Sequence, residues 1–180
     1  RGQCVYDRLA QMPLDVEPGE LIVGKPMCRA VLEEHAKRME AAKECMPEHF
    51  WTRGDNGHFH PDYDTLFRIG LGGMLQDIEE RLHAEDDKQR QEFCDGCRLA
   101  LTGMQGYVTR VADACGEQAR VVSDEGAEWT ELERICRALV TRPPATFHEA
   151  IQLMFMCEIA LWFGEEHYLA SPGSMDQTLW

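Results

Sequence analysis

The sequence is poor in basic residues and has no long apolar run. Its 18 Lys and Arg stand against 32 Asp and Glu, which leaves a formal net charge of −14. Nucleic acid phosphates and anionic membrane surfaces would repel such a chain, so neither is an expected partner. The longest apolar stretch, residues 151–163, is interrupted by Gln152, Cys157 and Glu158 and is shorter than the roughly 18 residues that span a bilayer. With no secretion signal at its start, the chain is expected to be soluble and cytoplasmic.

Several common catalytic signatures are also missing. There is no nucleophile elbow, phosphate-binding loop or dinucleotide fingerprint, because the glycines at 70–73 follow no strand. Cys94 and Cys97 have the spacing of a zinc or redox pair, but no second pair supplies two further ligands. We therefore predict no metal site. The eight cysteines lie mostly within helical patterns, which favours reduced thiols over a disulfide framework.

Apolar residues recur at helical spacing along most of the chain. The pattern over residues 88–122 predicts either one long helix or two helices joined near residues 103–106. Residues 14–26, with a turn at Pro18-Gly19, favour at most a short strand. The chain is therefore predicted to be mainly α, with at most one or two short strands. The predicted helices cover residues 28–46, 62–83, 88–122, 127–140 and 147–163.

Two of these helices have unusual sequences. Gly70, Gly72 and Gly73 fall inside the second, at a cost of up to about 1 kcal/mol each relative to Ala, which predicts a close crossing with another backbone. The last helix opens with Thr146 and Glu149 at capping-box spacing. It is apolar nearly all round, so we expect further chain to cover it.

A polar cluster precedes the helix at 62–83. His58, His60 and Asp62 could form a metal or acid–base site. The stronger interpretation is structural, because His and Asp at a helix start satisfy the free N–H groups of the first turn. Both interpretations stay open on the sequence alone.

A second polar cluster follows the apolar helix at once, over residues 165–168. Titratable groups arrive here at the point where the chain leaves the core, and such loops often line binding sites. We therefore predict that His167 and Tyr168 contact substrate.

Four segments of the sequence form a recognisable series. They are 18–24 (PGELIVG), 57–63 (GHFHPDY), 144–152 (PATFHEAIQ) and 171–177 (SPGSMDQ). In this order they resemble the pyruvate formate-lyase domain of glycyl radical enzymes, and the most specific part is residues 146–150 followed by Gly173, Asp176 and Gln177.

The resemblance implies a larger α/β barrel of ten strands enclosed by helices. Residues 1–180 would form a partial domain, truncated at both ends, that supplies helical layers. A radical S-adenosylmethionine activating enzyme would install a glycyl radical, and a cysteine thiyl would then abstract hydrogen from a small organic substrate. The implied reaction is that of a lyase, a dehydratase or a formate acetyltransferase-like enzyme and breaks a C–C, C–O, C–N or C–S bond. The full-length protein would be an anaerobic homodimer, and the isolated piece would be inactive.

The same resemblance places the thiyl cysteine and the radical glycine outside this chain, so no catalytic residue is assigned within it and no bound cofactor is expected. Related dehydratases and lyases carry a substrate-contacting histidine where this sequence has Tyr168, and commonly an arginine where it has Ser174. The tyrosine argues against a polyol dehydratase and allows a larger or aromatic substrate. The alternatives are a non-catalytic helical binding or interaction module derived from the domain, or a zinc-stabilised helical protein.

Overall fold

The computed structural model describes residues 1–25, 60–121, 126–164, 171 and 173. These residues are mostly helical, and Leu14 forms an isolated β-bridge without any strand in the described ranges. The α-helix at Phe147–Ile159 continues directly into a π-helix at Ala160–Gly164. The helices are α1 (Gly2–Gln11), α2 (Tyr63–Ala84), α3 (Lys88–Val121), α4 (Gly126–Leu139) and α5 (Phe147–Ile159).

The prediction of a mainly α chain is confirmed. The region predicted as one helix or two is the single helix α3. The helix predicted at 28–46 lies outside the described residues. Helix α1 was not predicted, although Val5 and Leu9 are buried on one face of it and Pro13 follows its end. None of the helices in the described ranges is both long and apolar enough to cross a membrane.

Helix α3 lies at the centre of the core and packs against α1, α2 and α4. Its inward positions follow the helical period, so a single stripe of apolar side chains is removed from water. At its crossing with α1, a Cβ on Gly103 would lie 2.7 Å from the Tyr6 Cα. The buried residues of α3 are Gly103, Met104, Tyr107, Val108, Val111, Ala112, Cys115 and Gly116.

Arg110 of α3 holds the end of α1. Its guanidinium donates hydrogen bonds to the Leu9 carbonyl at 2.8 Å and to the Met12 carbonyl at 2.5 Å. These carbonyls belong to the last turn of α1 and the residue that ends it, where no intrahelical donors remain. The short N-terminal helix is therefore fixed in orientation against α3.

The predicted glycine crossing is confirmed at two of its three positions. A Cβ on Gly72 would lie 2.1 Å from the Thr141 carbonyl oxygen, and one on Gly70 would lie 2.6 Å from the Pro143 nitrogen. Gly70 also has φ 67° and ψ −179°, which interrupts the helical geometry of α2. At Gly73 the nearest side chain is Ile69 of the same helix, so that glycine makes no such crossing.

A buried carboxylate organises the turn between α4 and α5. Glu149 is 1% exposed and accepts two hydrogen bonds from Arg142, at 2.6 and 2.8 Å, and one from the Ala145 N–H at 2.7 Å. Arg134 lies 3.5 Å away. Arg142 is the largest cause that lowers the pKa of Glu149, to about 2.

The capping box is confirmed in only one of its two halves. The Thr146 hydroxyl accepts from the Glu149 N–H at 3.2 Å, as predicted. The Glu149 carboxylate reaches one residue further back, to Ala145, because Arg142 draws it toward the preceding turn.

The segment at 18–24 is fastened to α5 and α3. The Gln152 side-chain amide donates to the Val23 carbonyl at 2.8 Å and accepts from the Val23 N–H at 2.9 Å, and both residues are fully buried. Tyr107 donates to the Gly24 carbonyl at 2.5 Å. Two of the four sequence segments therefore meet through a side chain that replaces a strand partner for buried backbone groups.

Candidate functional site

The structure at the start of α2 shows the role of Asp62, one of the three residues in the polar cluster that precedes this helix. The Asp62 carboxylate accepts from the Thr65 N–H at 3.0 Å, and this backbone hydrogen bond lowers its pKa. Asp62 is therefore the N-cap of α2, as the structural interpretation predicted. His58 lies outside the described residues. Within the ranges that are described, no three His, Cys, Asp or Glu side chains gather in a way that could hold a metal ion.

The His60 side chain contacts the backbone of Ser171. Its Nδ1 lies 3.1 Å from the Ser171 carbonyl oxygen. A Cβ on Gly173, whose φ is 68°, would lie 3.1 Å from the same nitrogen. His60 therefore joins the segment before α2 to the segment at 171–177.

Tyr63, the first residue of α2, reaches the last turn of α5. Its ring is 3% exposed, and its hydroxyl donates a hydrogen bond to the Glu158 carboxylate. Burial, followed by this hydrogen bond, raises the pKa of Tyr63 well above its ordinary value. The phenol therefore stays protonated and can donate this hydrogen bond at any physiological pH.

Cys157 lies beside this pair in the sequence. Burial, and then the neighbouring Glu158 charge, raise the pKa of its thiol to about 12. The thiol consequently stays protonated at neutral pH and is a poor nucleophile.

The chain beyond α5 is held at its exit. The Arg8 guanidinium donates to the Gly164 carbonyl at 2.8 Å. Gly164, the last residue of the π-helix, lies against Val5 and Leu9 of α1, and a Cβ there would be 3.1 Å from a Val5 methyl carbon. Gly164 and Ser171, the described residues on either side of 165–170, are thus each contacted by a side chain from another part of the chain.

The predicted substrate-contacting residues, His167 and Tyr168, lie outside the described residues, as does Ser174. Of the two residues that hold Gly164 and Ser171, His60 was predicted for a different role and Arg8 was not predicted. The contact between Tyr63 and Glu158 was not predicted either. Glu158 had a visible signal, because it is a carboxylate within an apolar helix. Tyr63 was part of a quoted segment, and Arg8 carried no signal.

Cysteines of the described ranges carry free thiols, and two of them, Cys115 and Cys136, are fully buried. Cys94 and Cys97 are partly exposed on α3. Among the cysteines of the described ranges, full burial is thus confined to this pair between α3 and α4.

A surface groove of about 450 Å³ lies elsewhere, between α1 and α3. Of the described residues that line it, only Arg110 is charged, and its guanidinium already binds the Leu9 and Met12 carbonyls. The groove offers no convergent set of polar groups. We therefore place the candidate site where α2 begins and α5 ends.

A family model of pyruvate formate lyase-like proteins matches residues 24–180. The chain belongs to this family. The expectation drawn from the four segments is therefore confirmed, and helices α2 to α5 are part of a pyruvate formate lyase-like domain.

Two curated relatives of this family member are dehydratases. The probable dehydratase YbiW of Escherichia coli (strain K12) is 26% identical over 187 residues, which cover 100% of this chain and 21% of the relative. The (2S)-3-sulfopropanediol dehydratase of Klebsiella oxytoca is 23% identical over 155 residues, which cover 82% of this chain and 19% of the relative. The chain thus spans about a fifth of the length of these relatives.

Solved structures show the same fold. The glycerol-bound B12-independent glycerol dehydratase from Clostridium butyricum matches with a TM-score of 0.78 at 19% identity, over 98% of this chain and 31% of that chain. A glycyl radical enzyme from Archaeoglobus fulgidus matches with a TM-score of 0.76 at 20% identity, over 98% and 31%. The helices of this pyruvate formate lyase-like chain are therefore helical layers of the glycyl radical enzyme fold.

Proposed function

We propose that this chain is part of a glycyl radical dehydratase or lyase, in which residues 165–170 contact a small hydroxylated substrate. The observation that carries the proposal is the anchoring of the two flanking residues, Gly164 by Arg8 and Ser171 by His60. Anchored flanking residues lower the entropic cost of ordering the chain between them around a ligand. The dehydratase relatives support the reaction class.

In this proposal the thiyl cysteine and the radical glycine belong to the remainder of a full-length, cytoplasmic, homodimeric protein, and a radical S-adenosylmethionine enzyme installs the radical under anaerobic conditions. The radical supplies hydrogen abstraction from substrate. The residues of this chain would orient the substrate and keep water away from the reacting carbon. For a 1,2-diol the net reaction is loss of one water with formation of a carbonyl group.

The names of the related proteins suggest the substrates to test. They include dehydratases of glycerol, 1,2-propanediol, (2S)-3-sulfopropanediol and trans-4-hydroxy-L-proline. All four compounds carry a hydroxyl group that leaves as water. Tyr168 stands where the resemblance implies a substrate-contacting histidine, so the hydrogen bond of that imidazole to a substrate hydroxyl is missing, and we propose that glycerol is a poor substrate.

We expect Tyr168→His to raise kcat/KM for glycerol by about tenfold relative to the largest accepted substrate, which is the contribution of about one hydrogen bond. The assay is anaerobic turnover of the four compounds by the activated full-length protein, with product detected by mass spectrometry. Tyr6→His is the matched control, because Tyr6 lies on α1 against Gly103.

Two results would count against the proposal. An unchanged ratio in Tyr168→His would show that Tyr168 does not face substrate. Failure of the activated wild-type protein to convert any of the four compounds would remove support for a dehydratase of this substrate class and favour the non-catalytic module.

A further inference from the structure

The junction between α5 and the π-helix changes its hydrogen-bond pattern at one residue. The Ala160 N–H is shared between the Met156 and Cys157 carbonyls. From Ala160 to Gly164 the backbone is π-helical. A π-helix is rare, is less favourable than an α-helix, and occurs mostly where function requires it. Some feature of the surroundings must therefore hold this one in place.

The hydrogen bond between Tyr63 and Glu158 lies two residues before that junction. Its donor is nearly fully buried at the first turn of α2. Helix α2 is itself anchored, because Asp62 caps it and the residues around Gly70 cross the backbone at 141–143. Glu158 is therefore hydrogen-bonded to a rigidly held side chain near the residue where the α-helical hydrogen-bond pattern changes to the π-helical one.

A π-turn contains one more residue than the α-turn that it replaces. If the junction reverted to α-helix, the side chains that follow would rotate by about 100°, which is one residue of an α-helix. Gly164 would then no longer present its carbonyl to Arg8 in the same direction. The direction in which the chain leaves the π-helix thus depends on where the α-helix ends.

We infer that Tyr63 is a positioning residue, whose hydrogen bond to Glu158 fixes the register at which α5 passes into the π-helix and thereby the direction in which Gly164 presents its carbonyl to Arg8. The part of this inference that concerns substrate rests on the proposed function. The part that concerns chain geometry does not.

Hydrogen exchange of the full-length protein, resolved by mass spectrometry of peptides that cover residues 160–170, tests the geometry without any need for turnover. In Tyr63→Phe we expect exchange of these amides to accelerate about five- to tenfold, because the junction loses one hydrogen bond. Tyr107→Phe is the matched control. It also removes one buried phenol hydroxyl, which binds the Gly24 carbonyl, away from the junction.

Glu158 supplies the complementary variants. Glu158→Gln keeps an oxygen that can accept from Tyr63, so exchange over 160–170 should stay close to that of the wild type. Glu158→Ala removes the acceptor and should behave like Tyr63→Phe. Glu158→Ala also keeps the inference testable if Tyr63→Phe fails to fold. Unaltered hydrogen exchange in α3 would show that a variant is folded.

Equal exchange over 160–170 in wild type, Tyr63→Phe and Glu158→Ala would overturn the inference, as would an equal acceleration in Tyr107→Phe. On a substrate that the wild type converts, Tyr63→Phe should raise KM by about tenfold with a much smaller change in kcat. Accelerated exchange without wild-type turnover would contradict the proposed function and leave the positioning role standing.

Discussion

Replacing Glu149 by Gln is expected to lower the free energy of unfolding by about 3 kcal/mol. Breaking a buried ion pair typically costs about 3–5 kcal/mol. The lower end applies here, because Arg142 and Arg134 are 38% and 51% exposed and can turn to solvent when the charge is removed. Urea denaturation followed by circular dichroism measures the change.

Glu131→Gln is the matched control for this prediction. It makes the same substitution in a carboxylate that pairs with Arg134 at 2.7 Å, but with a side chain that is 53% exposed. Exposed ion pairs contribute about 0–1 kcal/mol, so the loss should be less than about 1 kcal/mol. Equal losses in the two variants would show that burial of Glu149 has no special role.

Acid adds an independent check on Glu149. Its pKa is about 2 in the folded chain, below the ordinary value of 4.5. A lowered pKa contributes stability that is fully present above pH 4.5 and is lost as the pH falls toward 2. The difference in unfolding free energy between wild type and Glu149→Gln should therefore shrink across this window. A difference independent of pH would contradict the ion pair.

Gly70→Ala is expected to destabilise the chain by about 4 kcal/mol. Two costs combine. A residue with a side chain at φ 67° and ψ −179° is strained by about 1–3 kcal/mol. The added Cβ would also lie 2.6–2.8 Å from backbone atoms of Arg142 and Pro143, and such overpacking costs about 1–3 kcal/mol. The same denaturation experiment measures the loss.

Gly106→Ala controls for the substitution itself. Gly106 lies on the exposed side of α3, and a Cβ there would meet nothing within 4 Å. This variant should be more stable than wild type by about 0.5–1 kcal/mol, because Ala loses less conformational entropy in a helix. If Gly70→Ala were as stable as wild type, the close crossing of Gly70 with the backbone of Arg142 and Pro143 would be contradicted.

The fold was predictable wherever local periodicity decides it. The apolar stripe of α3 gave both the helix and its inward face, and Asp62 and Thr146 marked two helix starts. Helix α1 was missed because only Val5 and Leu9 are buried along it, too few to set a clear period. The glycines of α2 signalled a close crossing, but its partner, residues 141–143, lies far along the chain and has no local signature.

The candidate site was less predictable for a related reason. Its contacts join residues remote in sequence, such as Tyr63 with Glu158, and His60 with Ser171. Nothing in the residues Ala160–Gly164 distinguishes a π-helix from an α-helix, because the difference arises from what holds the two ends. The resemblance placed the correct segments in order, but only the structure shows which of them touch.

Electron paramagnetic resonance of the full-length protein, incubated anaerobically with its activating enzyme and S-adenosylmethionine, tests most directly whether this chain belongs to a working glycyl radical enzyme. The expected spectrum is an organic radical split into a doublet by the one α-hydrogen of a glycyl residue, and the doublet should collapse to a single line in protein made with glycine deuterated at Cα. Absence of any radical, in an experiment where a glycyl radical enzyme included as positive control gives the doublet, would contradict a glycyl radical reaction and leave the helical binding module as the better account.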